Sequence, residues 1–346
     1  MAQSLELFVD PITGMTLGEL GSIRHFRMIE GSYHADVSMG YPVEGLQDQY
    51  QAAMRDWIED PAAVLDLSCQ TPPGKALPGV KHVIAVASGK GGVGKSTTAV
   101  NLALGLNSAG ARVGLLDADI YGPSQGMMLG IEEGRRPEIQ DQKFFVPIRV
   151  HGIEAISMSM LSSEKTPMVW RGPMASGALS QLLQQTRWGD LDYLIVDMPP
   201  GTGDIQLTLS QSIALAGAVI VTTPQNIALA DARKGIEMFR KVNVPILGVI
   251  ENMSYFRCDE CGKIHDIFAS DGGKSVSVEY GTRLLGAFPL DPLIRKQTDE
   301  GHPPVVSHPE SDVSKEYVIA ARKAAASLWL NQSQTTPKPT IKMNPA

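Results

Sequence analysis

Residues 89–97 read Gly-Lys-Gly-Gly-Val-Gly-Lys-Ser-Thr, and this glycine-rich run limits the possible folds of the chain more than any other segment. It fits the pattern G-x-x-x-x-G-K-[ST], in which backbone N–H groups surround the phosphates of a nucleotide. An apolar run at residues 83–87 precedes it, and a helical pattern over 95–108 follows. Because such a loop works between a buried strand and a helix, the context supports a nucleotide-binding loop.

The residue types in the loop have separate physical roles. Glycines let the backbone turn inward around phosphates without Cβ clashes, and the start of the following helix adds a positive dipole end. Lys95 can reach the β and γ phosphates, and the Ser96 hydroxyl can ligate Mg²⁺. We therefore predict that a nucleoside triphosphate and Mg²⁺ are bound by Gly89, Lys90, Gly91, Gly92, Val93, Gly94, Lys95, Ser96 and Thr97.

Two further apolar runs end in carboxylates. Residues 194–196 precede Asp197, and residues 111–116 precede Asp117 and Asp119. An aspartate at the carboxyl edge of a sheet beside a phosphate loop can bind Mg²⁺ directly or through water. For either aspartate taken alone, an ordinary strand-end or helix-cap role is the better explanation. The order of the three elements favours the magnesium interpretation for Asp197.

Strand-length apolar runs alternate with helical patterns from residue 81 onward. This alternation predicts an α/β fold, a P-loop NTPase with a mainly parallel sheet flanked by helices on both faces and preceded by a small α/β domain. Residues 144–150 and 153–158 are predicted as an inserted pair of strands. The other predicted strands are 83–87, 111–116, 194–196, 218–221 and 246–250, and the predicted helices are 95–108, 177–185 and 228–242.

Composition divides the chain into four parts. Residues 1–70 are predicted as a small acidic α/β domain and 71–80, with three prolines, as a linker. Residues 81–330 form the predicted P-loop domain, and 331–346 are predicted to be a disordered tail. Within the first part we predict strands at 24–29 and 33–39 joined as a hairpin, a helix over 46–58 and a last strand at 63–67.

Charge and cysteine usage limit the possible partners and compartment. Residues 1–70 hold three basic and eleven acidic side chains, which disfavours a nucleic-acid or anionic-membrane surface there. No run approaches the roughly 20 apolar residues of a membrane helix, and the first residues lack a secretory-signal pattern. Three cysteines do not build a disulfide framework. We expect a cytoplasmic protein that binds neither nucleic acid nor membrane.

Lys90 stands directly after the first glycine, where the basic pattern requires no lysine. It could be an ordinary solvated lysine. With the glycines and Lys95 after it, however, the loop resembles the deviant Walker A motif of the MinD, ParA and nitrogenase-iron-protein class. That resemblance implies that Lys90 touches the nucleotide of a second subunit, so that a homodimer encloses two ATP molecules.

Longer segments resemble the Mrp/ApbC family within that class. The resemblance implies an ATPase, with slow turnover, that receives an iron–sulfur cluster from a donor and passes it to apo-proteins. The segments that carry it are residues 86–97, 117–124, 170–173, 197–204, 222–225, 251–256 and 288–292.

The same resemblance assigns roles to individual residues. Lys90, Lys95 and Asp119 are the implied catalytic residues, with Asp119 orienting the attacking water. Ser96 and Asp197 are the implied magnesium residues. Asn252 is implied to read the adenine edge, which favours ATP over GTP.

A C-x-x-C pair, Cys258 and Cys261, closely follows Asn252. Two thiolates at this spacing can hold one metal centre, but a closed tetrahedral site needs four ligands. His265 could join them in a zinc site, and a disulfide switch is a further alternative. In a two-fold dimer, two such pairs supply four thiolates. Together with the family resemblance, this favours a [4Fe–4S] cluster that bridges two subunits.

Residues 1–70 weakly resemble the small iron–sulfur-assembly domain that precedes the ATPase in bacterial members. The cysteine expected before the helix is absent, since residues 40–44 read Gly-Tyr-Pro-Val-Glu. We therefore predict docking, not thiol chemistry, for this part.

The alternative function is a MinD- or ParA-like ATPase that acts on membrane or DNA with a zinc or redox C-x-x-C. Such a protein needs a basic patch or an amphipathic terminal helix. The predicted last helix, 314–330, carries only Lys315, Arg322 and Lys323 as basic residues.

Overall fold

The computed structural model describes residues 2–161 and 172–335. Residues 170 and 171 of one family-like segment, and residues 336–346 of the predicted tail, lie outside the described residues. The helices are α1 (Ala2–Glu6), α2 (Leu17–Leu20), α3 (Gln47–Ile58), α4 (Lys95–Ser108), α5 (Gln125–Met128), α6 (Gly172–Gln185), α7 (Asp204–Ser212), α8 (Asn226–Lys241), α9 (Gly272–Glu279), α10 (Pro292–Asp299), α11 (Pro304–Ser307) and α12 (Asp312–Thr335).

The strands are numbered in chain order, as the helices are. They are β1 (Ile23–Ile29), β2 (Ser32–Met39), β3 (Val64–Cys69), β4 (Val80–Ala87), β5 (Val113–Asp117), β6 (Glu138–Gln140), β7 (Phe144–Val146), β8 (Ile148–Val150), β9 (Ile153–Ser157), β10 (Leu191–Asp197), β11 (Leu215–Thr222), β12 (Ile246–Glu251), β13 (Phe256–Arg257), β14 (Ile264–His265) and β15 (Leu284–Ala287).

The N-terminal unit is a three-stranded sheet with helix α3 packed on it. Strands β1 and β2 pair antiparallel, and β3 pairs in parallel with β2. The hairpin turn uses Glu30 and Gly31, both with positive φ, as a tight turn between two strands requires. The hairpin, the helix and the last strand predicted for this part are therefore all present.

The large unit is built on an eight-stranded sheet with the order β15-β12-β11-β4-β10-β5-β9-β8. All neighbouring pairs run parallel except β8 and β9. Alternate residues of β4 face opposite cores: Ile84 and Val86 join the side of α4 and α12, whereas Val83 and Ala85 join the side of α6 and α8. Burial on both faces explains why residues 83–87 of this strand are continuously apolar. The predicted α/β fold class is confirmed.

The predicted inserted pair of strands is wrong in its placement. Strand β9 is buried throughout and pairs in parallel with β5, so it belongs to the main sheet. The predicted run 144–150 is two strands: β8 forms the sheet edge, and β7 pairs with β6 in a separate ribbon. Pro147 stands between β7 and β8, and its missing N–H prevents one continuous strand.

The N-terminal unit packs against the C-terminal half of α12. Arg322, 6% exposed, donates from Nε to the carbonyl of Pro42 (3.2 Å) and from Nη2 to the carbonyl of Glu44. Gly40 lies against the indole ring of Trp329, where a Cβ would clash. These contacts join both units in one apolar core.

Helix α12 also corrects the predicted start of the tail. The prediction placed disorder from residue 331, but the helix continues to Thr335, and Ser333 Oγ donates to the carbonyl of Trp329 (2.9 Å). The polar composition of residues 331–335 is typical of a disordered tail as well as of an exposed helix end. These residues contain no proline or glycine, so nothing in them ends a helix.

Candidate functional site

The glycine-rich loop leaves the carboxyl end of β4, at the centre of the sheet, and leads into α4. Gly92 and Gly94 both have φ of +80°, a region that favours glycine. A Cβ on Gly94 would also run into the side chain of Asn252. The loop borders a cleft of about 230 Å³ lined by Ser88, Gly91, Gly92, Gly94, Lys95, Ser96, Thr97, Asp119, Ser124, Met128 and Pro200.

Three predicted site residues, Lys95, Asp119 and Asp197, meet at this cleft. The Lys95 ammonium forms an ion pair with Asp197 and lies 3.9 Å from Asp119 Oδ2. Lys95 is 6% exposed and Asp197 is fully buried. A buried ammonium needs nearby anions, and here two carboxylates supply them. Phosphate oxygens in the cleft can replace these partners.

Asp117 organises the chain that follows β5. Its carboxylate accepts from the backbone N–H groups of Ser124 (2.9 Å) and Gln125 (3.0 Å) and from the Ser157 hydroxyl (2.9 Å). Complete burial, and secondarily the charge of Asp197, raise the pKa of Asp117 to about 7. Asp117 therefore positions the segment that carries Asp119 and does not face the cleft.

Asp119 forms part of the cleft wall. Its Oδ1 accepts from the N–H groups of Tyr121 (3.3 Å) and Gly122 (3.2 Å). Its Oδ2 faces Lys95. One oxygen thus fixes the carboxylate, and the other remains directed at the phosphate loop.

Gln125 belongs to the site although the sequence did not single it out. Its Nε2 donates to Asp197 Oδ2 (2.8 Å) and to the backbone carbonyl of Ser96 (3.0 Å). The family-like segment 117–124 ends one residue before it, and that position was the available signal.

The predicted loop residues that do not line the cleft have other surroundings. Gly89 lies against the backbone of Asp231, and Val93 is buried. Lys90 is half-buried, and its carbonyl accepts from Ser88 Oγ (2.8 Å). Among the residues the structure describes, the Lys90 ammonium forms no ion pair.

Asn252 lies behind the phosphate loop and is 7% exposed. Its Nδ2 donates to the carbonyl of Val93 (2.9 Å), and its backbone N–H donates to the carbonyl of Thr222 (2.8 Å). The phosphate loop therefore uses the amide nitrogen of Asn252.

The two cysteines sit in a short turn between β13 and β14. Cys258 N–H donates to the carbonyl of Lys263 (3.0 Å), and Gly262 N–H donates to the carbonyl of Cys258 (2.8 Å). Backbone N–H groups of Cys261 and then Glu260 lower the pKa of the Cys258 thiol. Both thiols are free, Cys261 is exposed and Cys258 is partly so. This turn therefore holds two free and solvent-accessible thiols close to each other.

His265 does not complete a zinc site with these cysteines in one chain. It lies opposite Phe256 in the β13–β14 ribbon, with ring centroids 6.5 Å apart. Across residues 2–161 and 172–335, no group of three His, Cys, Asp or Glu side chains is placed to hold a metal ion. Cys69 is at the end of β3 in the N-terminal unit. A four-thiolate site therefore requires a second subunit.

Known proteins agree with this combination of features. The family described as "ParA: NUBPL iron-transfer P-loop NTPase" matches residues 79–325, most of the chain. The chain belongs to this family. The resemblance inferred from the sequence motifs is confirmed by this match.

Two relatives and one solved structure show the extent of the similarity. An "iron-sulfur cluster carrier protein" of Pseudomonas fragi is 58% identical over 262 residues, 74% of this chain and 91% of the relative. The protein of that name in Escherichia coli (strain K12) is 46% identical over 341 residues, 95% of this chain and 92% of its own. A nucleotide-binding protein of Archaeoglobus fulgidus, solved with ADP, is 35% identical with a TM-score of 0.60, covering 69% of this chain and 92% of its own.

The similarity to the Escherichia coli protein includes the N-terminal unit, because it covers nearly the whole chain. In the segments that the structure describes, no helix is both long enough and apolar enough to cross a membrane.

Proposed function

We propose that this protein is an ATP-dependent iron–sulfur cluster carrier that holds a [4Fe–4S] cluster between two subunits and transfers it to apo-proteins. One observation carries the proposal. A complete phosphate-binding constellation and an outward-facing pair of thiols occur in one chain, joined by the short segment that runs from Asn252 to Cys258.

The nucleotide chemistry follows from the groups around Lys95. When a triphosphate enters the cleft, the Lys95 ammonium exchanges Asp197 for phosphate oxygens, which bear more charge. The Ser96 hydroxyl and the Asp197 carboxylate are hard oxygen donors, and they fit Mg²⁺. Bound there, Mg²⁺ neutralises charge on the phosphate oxygens. Asp119 then orients the water that attacks the γ-phosphate, in a hydrolysis that we expect to be slow.

The base is read by Asn252 in this proposal. Because the Val93 carbonyl holds the amide nitrogen, the amide oxygen accepts from the adenine amino group. This orientation supports ATP as the nucleotide.

The cluster is the cargo of the protein and needs four thiolates. One chain supplies Cys258 and Cys261, so a homodimer supplies the required number. In this proposal Lys90, which does not line its own cleft, contacts the nucleotide of the partner. A cluster shared between two exposed pairs is accessible to a cluster donor and to a recipient, as a carrier requires.

The segment between Asn252 and the cysteines supports communication between the two sites. Asn252 contacts the phosphate loop, Ser254 N–H donates to the Phe288 carbonyl (2.8 Å), and Leu290 N–H donates to the Tyr255 carbonyl (2.7 Å). Met253 has a φ of +53°, which is unfavourable for a side chain of this size. Movement of the phosphate loop can therefore reach Cys258 through only six residues of chain.

Anaerobic reconstitution with iron and sulfide tests the function. We expect about four irons per dimer and a broad visible absorption. Cys258→Ser and Cys261→Ser should each remove both signals, while Cys69→Ser serves as the matched control and should retain them. The reconstituted protein should activate an apo [4Fe–4S] enzyme. Stoichiometric zinc in place of iron, with no transfer, would show the proposal to be wrong.

The same preparation tests the alternative as a membrane- or DNA-positioning ATPase. We expect no nucleotide-dependent co-sedimentation with anionic liposomes or duplex DNA, because the N-terminal unit is acidic. Strong ATP-dependent binding to either would favour the alternative. A cytoplasmic location remains part of the proposal, and free thiols are consistent with it.

A further inference from the structure

Gln125 connects two parts of the predicted magnesium site. It is 1% exposed, and its Nε2 donates to both Asp197 Oδ2 (2.8 Å) and the Ser96 carbonyl (3.0 Å). Its backbone N–H donates to Asp117 Oδ2 (3.0 Å). One side chain thus bridges the carboxylate and the backbone of the residue whose hydroxyl fits the metal.

The other end of the same amide lacks a partner. Among the described residues, the buried Gln125 Oε1 makes no hydrogen bond. An unsatisfied amide oxygen in a buried site is costly, and native structures rarely retain one without a use. The oxygen is part of an amide whose nitrogen is already fixed on Asp197 and Ser96, so it is held beside the place where the metal fits.

We propose that Gln125 is a positioning residue for magnesium. Its nitrogen holds Asp197 and the Ser96 backbone in place, and its oxygen accepts a hydrogen bond from a water molecule that hydrates the ion. The inference rests on the proposed ATP-binding function. It also explains what holds Asp197 after Lys95 turns to the phosphates, because the Gln125 donor then remains.

The test compares Gln125→Met with Gln181→Met. Methionine has nearly the length of glutamine and no comparable hydrogen-bonding group, and Gln181 lies on the exposed side of α6. Binding of a fluorescent, non-hydrolysable ATP analogue is measured in EDTA and during titration with Mg²⁺. In Gln125→Met we expect the half-saturating Mg²⁺ concentration to rise at least about tenfold, as for other residues that orient metal ligands. Binding in EDTA should weaken far less than binding in Mg²⁺.

The other outcomes are also informative. An equal loss of binding with and without Mg²⁺, in a folded variant, would mean that Gln125 only supports the loop, and an unchanged Mg²⁺ titration would likewise overturn the proposal. If Gln125→Met is unfolded by circular dichroism, Gln125→Leu is measured with the same expectation. Failure of the wild-type protein to bind the analogue at all would instead contradict the proposed function.

Discussion

Lys95 and its two carboxylates illustrate how single residues prepare the site. The ammonium is buried against Asp197 and Asp119, so its charge is compensated before any nucleotide arrives. Phosphate binding then exchanges the anionic partners of a lysine that is already buried, so the ammonium does not have to be desolvated again.

Asp117 leads to a prediction about pH. Its pKa is raised to about 7 in the folded chain, above the unfolded value of 3.8, so the folded state binds the extra proton between these values. The unfolding free energy of the wild type should therefore fall, relative to Asp117→Asn, as the pH rises from 4 to 8. We expect a change of about 4 kcal/mol, because each unit of pKa difference corresponds to about 1.4 kcal/mol.

Thermal or urea unfolding of the nucleotide-free proteins at several pH values measures this difference. Ser68→Ala, a substitution in the N-terminal unit remote from the site, provides the control for general effects. A wild-type-minus-variant difference that is flat between pH 4 and 8 would contradict the raised pKa.

At the level of elements, the cysteine turn depends on Gly262. Its φ is +68°, and its N–H donates to the carbonyl of Cys258. Open space surrounds it, so a substitution there acts through backbone strain and not through a clash.

Gly262→Val should cost about 1–2 kcal/mol locally, because a β-branched residue resists this conformation. We expect weaker iron retention after reconstitution, with ATPase activity unchanged in the absence of a cluster. Gly281→Val is the matched control, since Gly281 has a similar φ of +61° in another turn with open space around it. Equal iron loss in both variants would show that the effect is not local to the cysteines.

The whole molecule joins its two units through α12. Arg322 donates to carbonyls of the N-terminal unit, and Trp329 covers Gly40. A buried arginine with two carbonyl partners contributes more than an exposed charge, because its loss leaves those carbonyls without a donor.

Arg322→Met should weaken docking of the N-terminal unit by about 2 kcal/mol. We expect faster proteolysis between residues 71 and 80 while nucleotide affinity stays unchanged. Lys315→Met, at an exposed ion pair with Glu310, is the control. A wild-type cleavage rate in Arg322→Met would mean that Arg322 does not hold the two units together.

At the largest scale, we expect two molecules to assemble into a dimer when ATP is bound. Lys90→Ala should remain monomeric with a non-hydrolysable ATP analogue, whereas the wild type should dimerise under light scattering. Lys274→Ala, at an exposed lysine, should behave as the wild type. Dimerisation of Lys90→Ala to the wild-type extent, with normal hydrolysis, would remove the proposed in-trans role.

The sequence alone determined the fold class, the phosphate loop and the cysteine pair, because these depend on local patterns. Helix α4 has its predicted bounds, and the central strands lie where the apolar runs are. The need for glycine at position 94 was predictable for the same reason, because the loop conformation depends on a few neighbouring residues.

Only the tertiary structure decided which distant groups meet. Residues 153–157 form a strand of the main sheet because they pair with the buried strand β5. Residues 331–335 are helical because they continue α12. Gln125 has no distinctive local pattern. Its role arises because chain segments 29 and 72 residues away converge on one amide. Short-range preferences specify the helices and strands. Which distant side chains meet depends on the order of the strands in the sheet.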